Sequence, residues 1–245
     1  MDSFSIGLSL LSSNIPNEPK HRELMSAEGR RILSLLANRP FTDNNIVKDE
    51  NGRPYFPDRR VDFNISHSGA VTAVSLVRGN EPQAGRSQKP FLRTGCDVQI
   101  VKARASTLKI AESFFSNAER DYIFSQDKNE DNEIKFFEIW TLKECFLKLK
   151  GLSVFDMQKA PPFICDKGSN KGCFTFGAAV SVPLSFYVYE LQGGPDGRYL
   201  LSVAIEGDEQ PQPVIRWFSQ SLLPIRSIVE IKAAASPAET VSPKR

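Results

Sequence analysis

The stretch 133–150 constrains the fold more than any other. Phe136, Phe137, Ile139, Trp140, Leu142, Phe146, Leu147 and Leu149 crowd one predicted helix, which Gly151 closes. Apolar side chains therefore cover nearly its whole circumference, and a helix of that kind is buried between other layers. Inside it Glu144 and Lys148 lie four residues apart and share a face with Phe137 and Thr141. On an exposed helix such an ion pair contributes about 0.3 kcal/mol. Within a buried helix the charges need a further partner, such as a metal or a phosphate.

The layers that cover this helix are predicted to be strands. Phe4, Ile6, Leu8 and Leu10 alternate with small residues and read as a half-buried strand. The spacing of Leu24, Ala27, Ile32, Leu35 and Leu36 predicts a helix over 21–38, which Pro40 stops. A strand over 61–65, a turn over 66–69 and a strand over 71–77 follow. The polar stretch 78–90, with two Pro and two Gly, reads as a linker. Beyond it come a strand over 93–100, helices over 106–115 and 117–126, a charged loop over 126–131 and the buried helix. β-like runs then fall at 173–180, 184–190, 199–205 and 214–218. Each half combines strands with a long helix and lacks strict βαβ alternation, so the predicted class is α+β. The expected division is an N-terminal half over 1–90, a C-terminal half over 91–232 and a flexible tail over 233–245.

Charge and composition exclude several functions. The 245 residues carry 31 Lys+Arg against 29 Asp+Glu, and neither half is strongly basic: residues 1–90 hold 12 basic and 10 acidic side chains. Nucleic-acid binding, which needs clustered cations, is not expected. No apolar run is long enough to span a bilayer, and Asp2 stands where a secretory leader carries bases, so a cytoplasmic protein without a membrane span is expected. The four cysteines (Cys96, Cys145, Cys165 and Cys173) form no C-x-x-C pair, and with two histidines in the chain a zinc site is not expected. They read as reduced, buried thiols.

Five segments carry possible chemistry. In Gly95-Cys96-Asp97-Val98-Gln99, a strand would turn Cys96 and Val98 to one face, with Asp97 and Gln99 on the other. A carboxylate and an amide oxygen suit Mg²⁺; a solvated polar face is the plainer reading. Glu144 and Lys148 are the second. Phe63-Asn64-Ile65-Ser66-His67-Ser68-Gly69 is the third. As a turn it offers backbone N–H groups, hydroxyls and an imidazole to a phosphate, or is simply a turn. A hydrolase reading of Asp62, Ser66 and His67 is discounted, because no G-x-S-x-G elbow is present. In 52–60, Arg53, Arg59 and Arg60 near Tyr55 and Phe56 could hold a nucleotide or be a solvated loop. Ser116-Asn117-Ala118-Glu119 has capping-box spacing, so Glu119 either caps a helix or does chemistry.

In chain order these segments read G-R-P-x-x-P, F-N-I-S-H-S, G-C-D-V-Q, F-F-S-x-x-E and W-T-L-K-E-C-F-L-K. Together they resemble the Sfp-type 4'-phosphopantetheinyl transferases, over about residues 21–155. The resemblance implies a pseudo-dimer of two similar α+β halves, acting as a monomer, with coenzyme A and Mg²⁺ in the cleft between them. It implies transfer of the phosphopantetheine arm of coenzyme A to a serine of an apo acyl or peptidyl carrier protein, with release of 3',5'-ADP. The carriers of the family serve fatty acid, polyketide or peptide synthesis. Carried over by position, Asp97, Gln99 and Glu144 are implied as metal-binding, and Glu119, Glu144 and Lys148 as catalytic. Arg22, Arg53, Ser66, His67, Lys143 and Lys148 are implied as coenzyme A contacts. Two departures stand out: Gln99 replaces the family's acid, and 20 residues precede His21, where the family has a further basic segment. A non-catalytic carrier-binding module and a coenzyme A-binding protein are the rival readings.

Overall fold

The computed structural model describes residues 3–11, 18–42, 45–58, 60–79, 92–102, 106–125, 131–166, 173–178, 180–193, 197–207, 211–219 and 223–233. Most of the expected linker, the charged loop, the tail and Arg59 lie outside the described residues.

In chain order the elements are β1 (Ser3–Leu10), α1 (Glu18–Ala37), β2 (Val47–Lys48), β3 (Pro54–Tyr55), β4 (Val61–Ser68) and β5 (Val71–Arg78). There follow β6 (Arg93–Ile100), α2 (Thr107–Phe114), α3 (Asn117–Ile123), α4 (Asn132–Lys150) and a 3₁₀ turn (Val154–Lys159). The chain continues through β7 (Phe163–Asp166), β8 (Cys173–Phe176), β9 (Leu184–Gln192), β10 (Arg198–Glu206), β11 (Pro213–Trp217) and β12 (Ile225–Ala233). The class is α+β, as the sequence predicts.

Two four-stranded sheets dominate, ordered β11-β1-β5-β4 and β12-β9-β10-β6. They pack face to face. Phe4, Ile6 and Leu8 of β1 and Val71 and Ala73 of β5 meet Val98 of β6, Leu191 of β9 and Leu201 and Val203 of β10 in one apolar layer. The helix α1 covers the outer face of the first sheet, burying Ile32 and Leu33 against Phe63 and Val74. The outer face of the second sheet packs on α4, where Leu142, Leu147 and Leu149 join Phe186, Val188 and Leu200. The helix that looked buried all round is so: 12 of its 19 residues are buried. Asp131 caps its first turn and Gly151, at φ 71°, ends it in the left-handed conformation that glycine adopts without strain. Residues 213–217, expected within the C-terminal half, leave the second sheet and pair parallel to β1. Among the described residues no helix is long and apolar enough to cross a membrane.

One expectation is corrected. Ser66, His67 and Ser68 do not form a turn. They are the last three residues of β4, paired with Ala73, Thr72 and Val71 of β5. The turn is the two-residue step Gly69–Ala70, with Gly69 at φ 52°. The polar run hides a strand because its alternate positions face different surroundings: Val61 and Phe63 face α1, and Asp62 and Asn64 face the second sheet.

Candidate active site between the sheets

Gly95 decides where β6 and α4 meet. A Cβ there would lie 2.8 Å from the backbone N of Leu149 and closer still to the carbonyl of Cys145. Only glycine lets the helix backbone come so near. The Cys145 thiol seals the approach by donating to the Gly95 carbonyl at 3.3 Å. One pleat further on, Asp97 faces the last turns of α4, and Lys148 reaches it.

The Lys148 ammonium donates to Asp97 Oδ1 at 2.6 Å and to Ser66 Oγ at 3.0 Å. Ser66 Oγ in turn donates to the same Asp97 oxygen at 2.9 Å, and Gln99 Nε2 donates to Asp97 Oδ2 at 3.2 Å. Asp97 is 1% exposed and the Lys148 side chain 27%, so the cluster is closed beneath the carboxylate and open on the ammonium side. Glu144, one helical turn before Lys148, is half-buried in the same group. Burial, with the charge of Asp97 added, pushes its carboxyl up to about 7, and the Lys148 charge opposes this only in part. Burial would lower the Lys148 ammonium, but the Asp97 and Glu144 carboxylates hold it above its ordinary range. Thr141, on the same helix face, meets Ser202 of β10 through their hydroxyls at 2.8 Å, beside Asp97 in the sheet.

His67 faces the other side of β4. Burial lowers its pKa, and the nearby charges of Lys148 on α4 and of Arg22 and His21 on α1 lower it further. Basic side chains from α1 and α4 thus act on the His67 ring from two sides. Arg22 itself is exposed.

Arg53 lies elsewhere than expected. Its guanidinium is buried and grips Asp62 with two bonds of 2.7 Å. It also donates to the carbonyls of Thr94 at 2.7 Å, Phe63 at 3.3 Å and Lys148 at 3.2 Å. Each nitrogen of the planar group meets a protein oxygen, so Arg53 ties β4, β6 and the end of α4 together. Glu119 and Lys143 form a further buried pair, at 3.2 Å. Glu119 accepts from Ser116 N in a complete capping box and from Phe163 N at 2.9 Å; Lys143 also donates to the Ala160 carbonyl. Burial outweighs the attraction of Glu119 and lowers the Lys143 pKa. The structure therefore gathers Asp97, Gln99, Glu144, Lys148, Ser66 and His67, and holds Glu119–Lys143 and Arg53–Asp62 in pairs of their own.

The sequence reading gives Asp62, Asn64 and Ser68 no role in joining β4 to β6. Asp62 accepts from Thr94 N, Asn64 from Cys96 N and Ser68 from Ile100 N, all on β6. A polar residue at every second position between Val61 and Gly69 was the available signal.

Residues 93–204, from β6 to β10, match the family model described as the 4'-phosphopantetheinyl transferase superfamily. The chain is also similar to the 4'-phosphopantetheinyl transferase gsp of Aneurinibacillus migulanus, with 33% identity over 51% of this chain and 46% of that one. Similarity to the 4'-phosphopantetheinyl transferase Sfp of Bacillus subtilis strain 168 is 29%, over 55% of this chain and 54% of the relative. To the 4'-phosphopantetheinyl transferase AcpT of Escherichia coli K12 it is 29%, over 60% and 67%. The match thus spans about half the length of the first two relatives. The matched segment contains Asp97, Gln99, Glu119, Lys143, Glu144 and Lys148; Arg22, Arg53, Ser66 and His67 precede it.

Proposed function

We propose that this protein transfers the 4'-phosphopantetheine arm of coenzyme A to a serine hydroxyl of an apo acyl or peptidyl carrier protein, releasing 3',5'-ADP. The observation that carries this reading is the Asp97–Lys148 contact beside Glu144, buried on one side and open on the other, inside the matched segment.

The side chains present fit Mg²⁺. Among the described residues no three His, Cys, Asp or Glu side chains group as a metal site. Two carboxylates and the Gln99 amide nevertheless share one cluster, and its negative charge is met by a single ammonium. Oxygen donors of this number suit a hard cation that keeps several waters. Asp97, Glu144 and Gln99 would hold it, and it would supply charge neutralisation at the pyrophosphate. Lys148 sits on the open side of the cluster, where it can meet the reacting phosphate. Arg22 adds positive charge toward the remaining phosphates of coenzyme A, and the His67 imidazole offers them an N–H donor. The serine nucleophile must lose its proton to a base. Glu144 stands in the cluster; Glu119 serves only if its bonds to Ser116, Phe163 and Lys143 open.

The chain reads as a pseudo-dimer with halves over 1–90 and 91–232. The order strand, helix, hairpin occurs as β1, α1, β4–β5 and again as β6, α4, β9–β10, and in each the first strand lies antiparallel to the last. The crossing of β11 ties the halves. A cytoplasmic monomer is in keeping with the buried free thiols of Cys96 and Cys145. A carrier- or coenzyme A-binding protein without turnover is the second reading. It is favoured by Gln99, whose amide donates to Asp97 where the family has an acid. Incubation with coenzyme A, Mg²⁺ and an apo carrier separates them: a carrier heavier by one phosphopantetheine arm supports the transferase, and complex formation without mass gain supports the binding protein.

A further inference from the structure

Alternate residues of β4 turn side-chain oxygens toward the backbone of β6. Asp62 Oδ2 accepts from Thr94 N at 2.7 Å, Asn64 Oδ1 from Cys96 N at 3.2 Å and Ser68 Oγ from Ile100 N at 3.0 Å. β6 is the last strand of its sheet, beside β10. Side chains of the first sheet thus stand where a further strand would pair.

The rungs differ in what else they hold. Asp62 also binds Arg53, and Ser68 Oγ also meets Gln99 Oε1 at 3.5 Å. Asn64 is given to one residue. Among the described residues its Oδ1 meets Cys96 alone, at the N–H and, at 3.7 Å, at the thiol. The Cys96 thiol also lies 3.5 Å from the Asn64 carbonyl, a second acceptor for its one proton. Cys96 is therefore anchored to β4 through both its main chain and its side chain.

The residue after this anchor is Asp97. It is held from the other edge of β6, opposite Ser202 of β10. The peptide that joins Cys96 to Asp97 is thus fixed from both sides, and a carboxylate one bond from Cβ follows its backbone. No atom of this rung belongs to a group that Mg²⁺ or coenzyme A would engage, so the anchor is independent of what Ser66 and Lys148 bind.

We propose that Asn64 is a positioning residue: by anchoring Cys96 it sets the Asp97 carboxylate in place for the metal, while the Asp62 and Ser68 rungs keep β6 in register. Its effect on metal binding and turnover rests on the transferase reading above; its effect on β6 does not.

The experiment compares wild type with Asn64→Ala and Asn64→Asp. Amide exchange followed by NMR reads the rungs. Calorimetry reads coenzyme A binding without Mg²⁺, then Mg²⁺ binding to the coenzyme A complex. Steady-state transfer reads kcat. In Asn64→Ala, exchange at Cys96 should rise about tenfold, with Thr94 and Ile100 changed far less. The Kd for coenzyme A should stay within about twofold, because no phosphate contact is lost. The Kd for Mg²⁺ should rise about tenfold and kcat should fall about 10- to 100-fold, as when a group that orients a metal ligand is removed. Asn64→Asp keeps the acceptor, as Asp62 does one rung away, and should restore slow exchange at Cys96 and most of kcat. If Asn64→Ala does not fold, Asn64→Ser, with the shorter hydroxyl already used at Ser68, makes the same comparison with smaller changes. Unchanged exchange at Cys96 would overturn the proposal. So would faster exchange with Mg²⁺ binding and kcat at wild-type values, which would leave Asn64 a purely structural rung. A coenzyme A Kd raised tenfold with kcat retained would make Asn64 a ligand contact and also overturn it. Absence of transfer by the wild type would instead sink the transferase reading, with Cys96 exchange and the Mg²⁺ Kd still deciding the role of Asn64.

Discussion

Lys148 and Asp97 are 51 residues apart in sequence and 2.6 Å apart in space. What brings them together is a glycine two residues before the carboxylate, where the α4 backbone rests on β6. The proposed chemistry depends on that contact, so residues that set the helix-to-strand distance matter as much as the charged ones.

Gly95→Ala should therefore be damaging. The added methyl meets backbone atoms of Cys145 and Leu149, which cannot rotate away. Overpacking of this kind costs about 1–3 kcal/mol. Urea unfolding should show the loss, and transfer by the folded fraction should drop as Lys148 is displaced from Asp97. A variant as stable and active as wild type would show that the helix can shift at little cost.

Arg53→Ala should act on stability first. It strands the Asp62 carboxylate, 2% exposed, in the interior. Breaking a buried pair by removing one partner costs about 3–5 kcal/mol. Arg53→Ala with Asp62→Ala should cost less than the sum of the two single changes, measured as a double-mutant cycle in denaturant. Additive effects would mean that the two side chains are independent.

Glu119→Gln should likewise lower stability, by several kcal/mol at most, since it leaves the Lys143 ammonium buried beside a neutral amide. If transfer per folded molecule survives, Glu119 is a structural acid. If transfer disappears while the unfolding midpoint holds, Glu119 is the base.

His67 gives a pH signature. Its folded pKa lies below the 6.5 of a free imidazole, chiefly through burial and then through Lys148 on α4 and Arg22 and His21 on α1. Folding thus favours the neutral ring. The associated stability is present above the unfolded pKa and is lost as pH falls through it. Between pH 8 and pH 5, wild type should lose more unfolding free energy than His67→Gln. Coenzyme A phosphates should raise the imidazole pKa on binding, visible by NMR titration. His67→Gln should weaken coenzyme A binding by about 1.5–3 kcal/mol. Equal acid sensitivity of the two proteins, or unchanged affinity, would remove His67 from the phosphate site.

Gln99→Glu tests the departure from the family pattern. The substitution exchanges an amide that donates to Asp97 for a third carboxylate. Half-maximal transfer should then need less Mg²⁺ than in wild type. A curve that overlays wild type or moves to higher Mg²⁺ would place residue 99 outside the metal site.

Much of this architecture was legible in the sequence, for reasons that the structure makes concrete. The all-round apolar α4 and its Gly151 stop were plain, as was the alternation of β1 and β6, because burial imposes one period on each. β12 was harder: a register shift between Ser227 and Val229 interrupts its alternation. The strand end at Ser66–Ser68 looked like a turn because hydroxyls and an imidazole are common in turns, and the partner strand that makes them a ladder lies 32 residues away. The residue types of the site could be read, but their pairing could not. Nothing local says that Arg53 is spent on Asp62, or Lys143 on Glu119, since each pair depends on elements distant in sequence meeting in the core.

The central claim is tested most directly by intact mass spectrometry of an apo carrier protein incubated with coenzyme A and saturating Mg²⁺, using wild type, Asp97→Asn and Glu144→Gln. The account predicts that wild type adds one phosphopantetheine arm to the carrier serine. Both variants should remain folded by circular dichroism and add none on the same timescale. A carrier left unmodified by wild type, or modified at near wild-type rate by either variant, would contradict it.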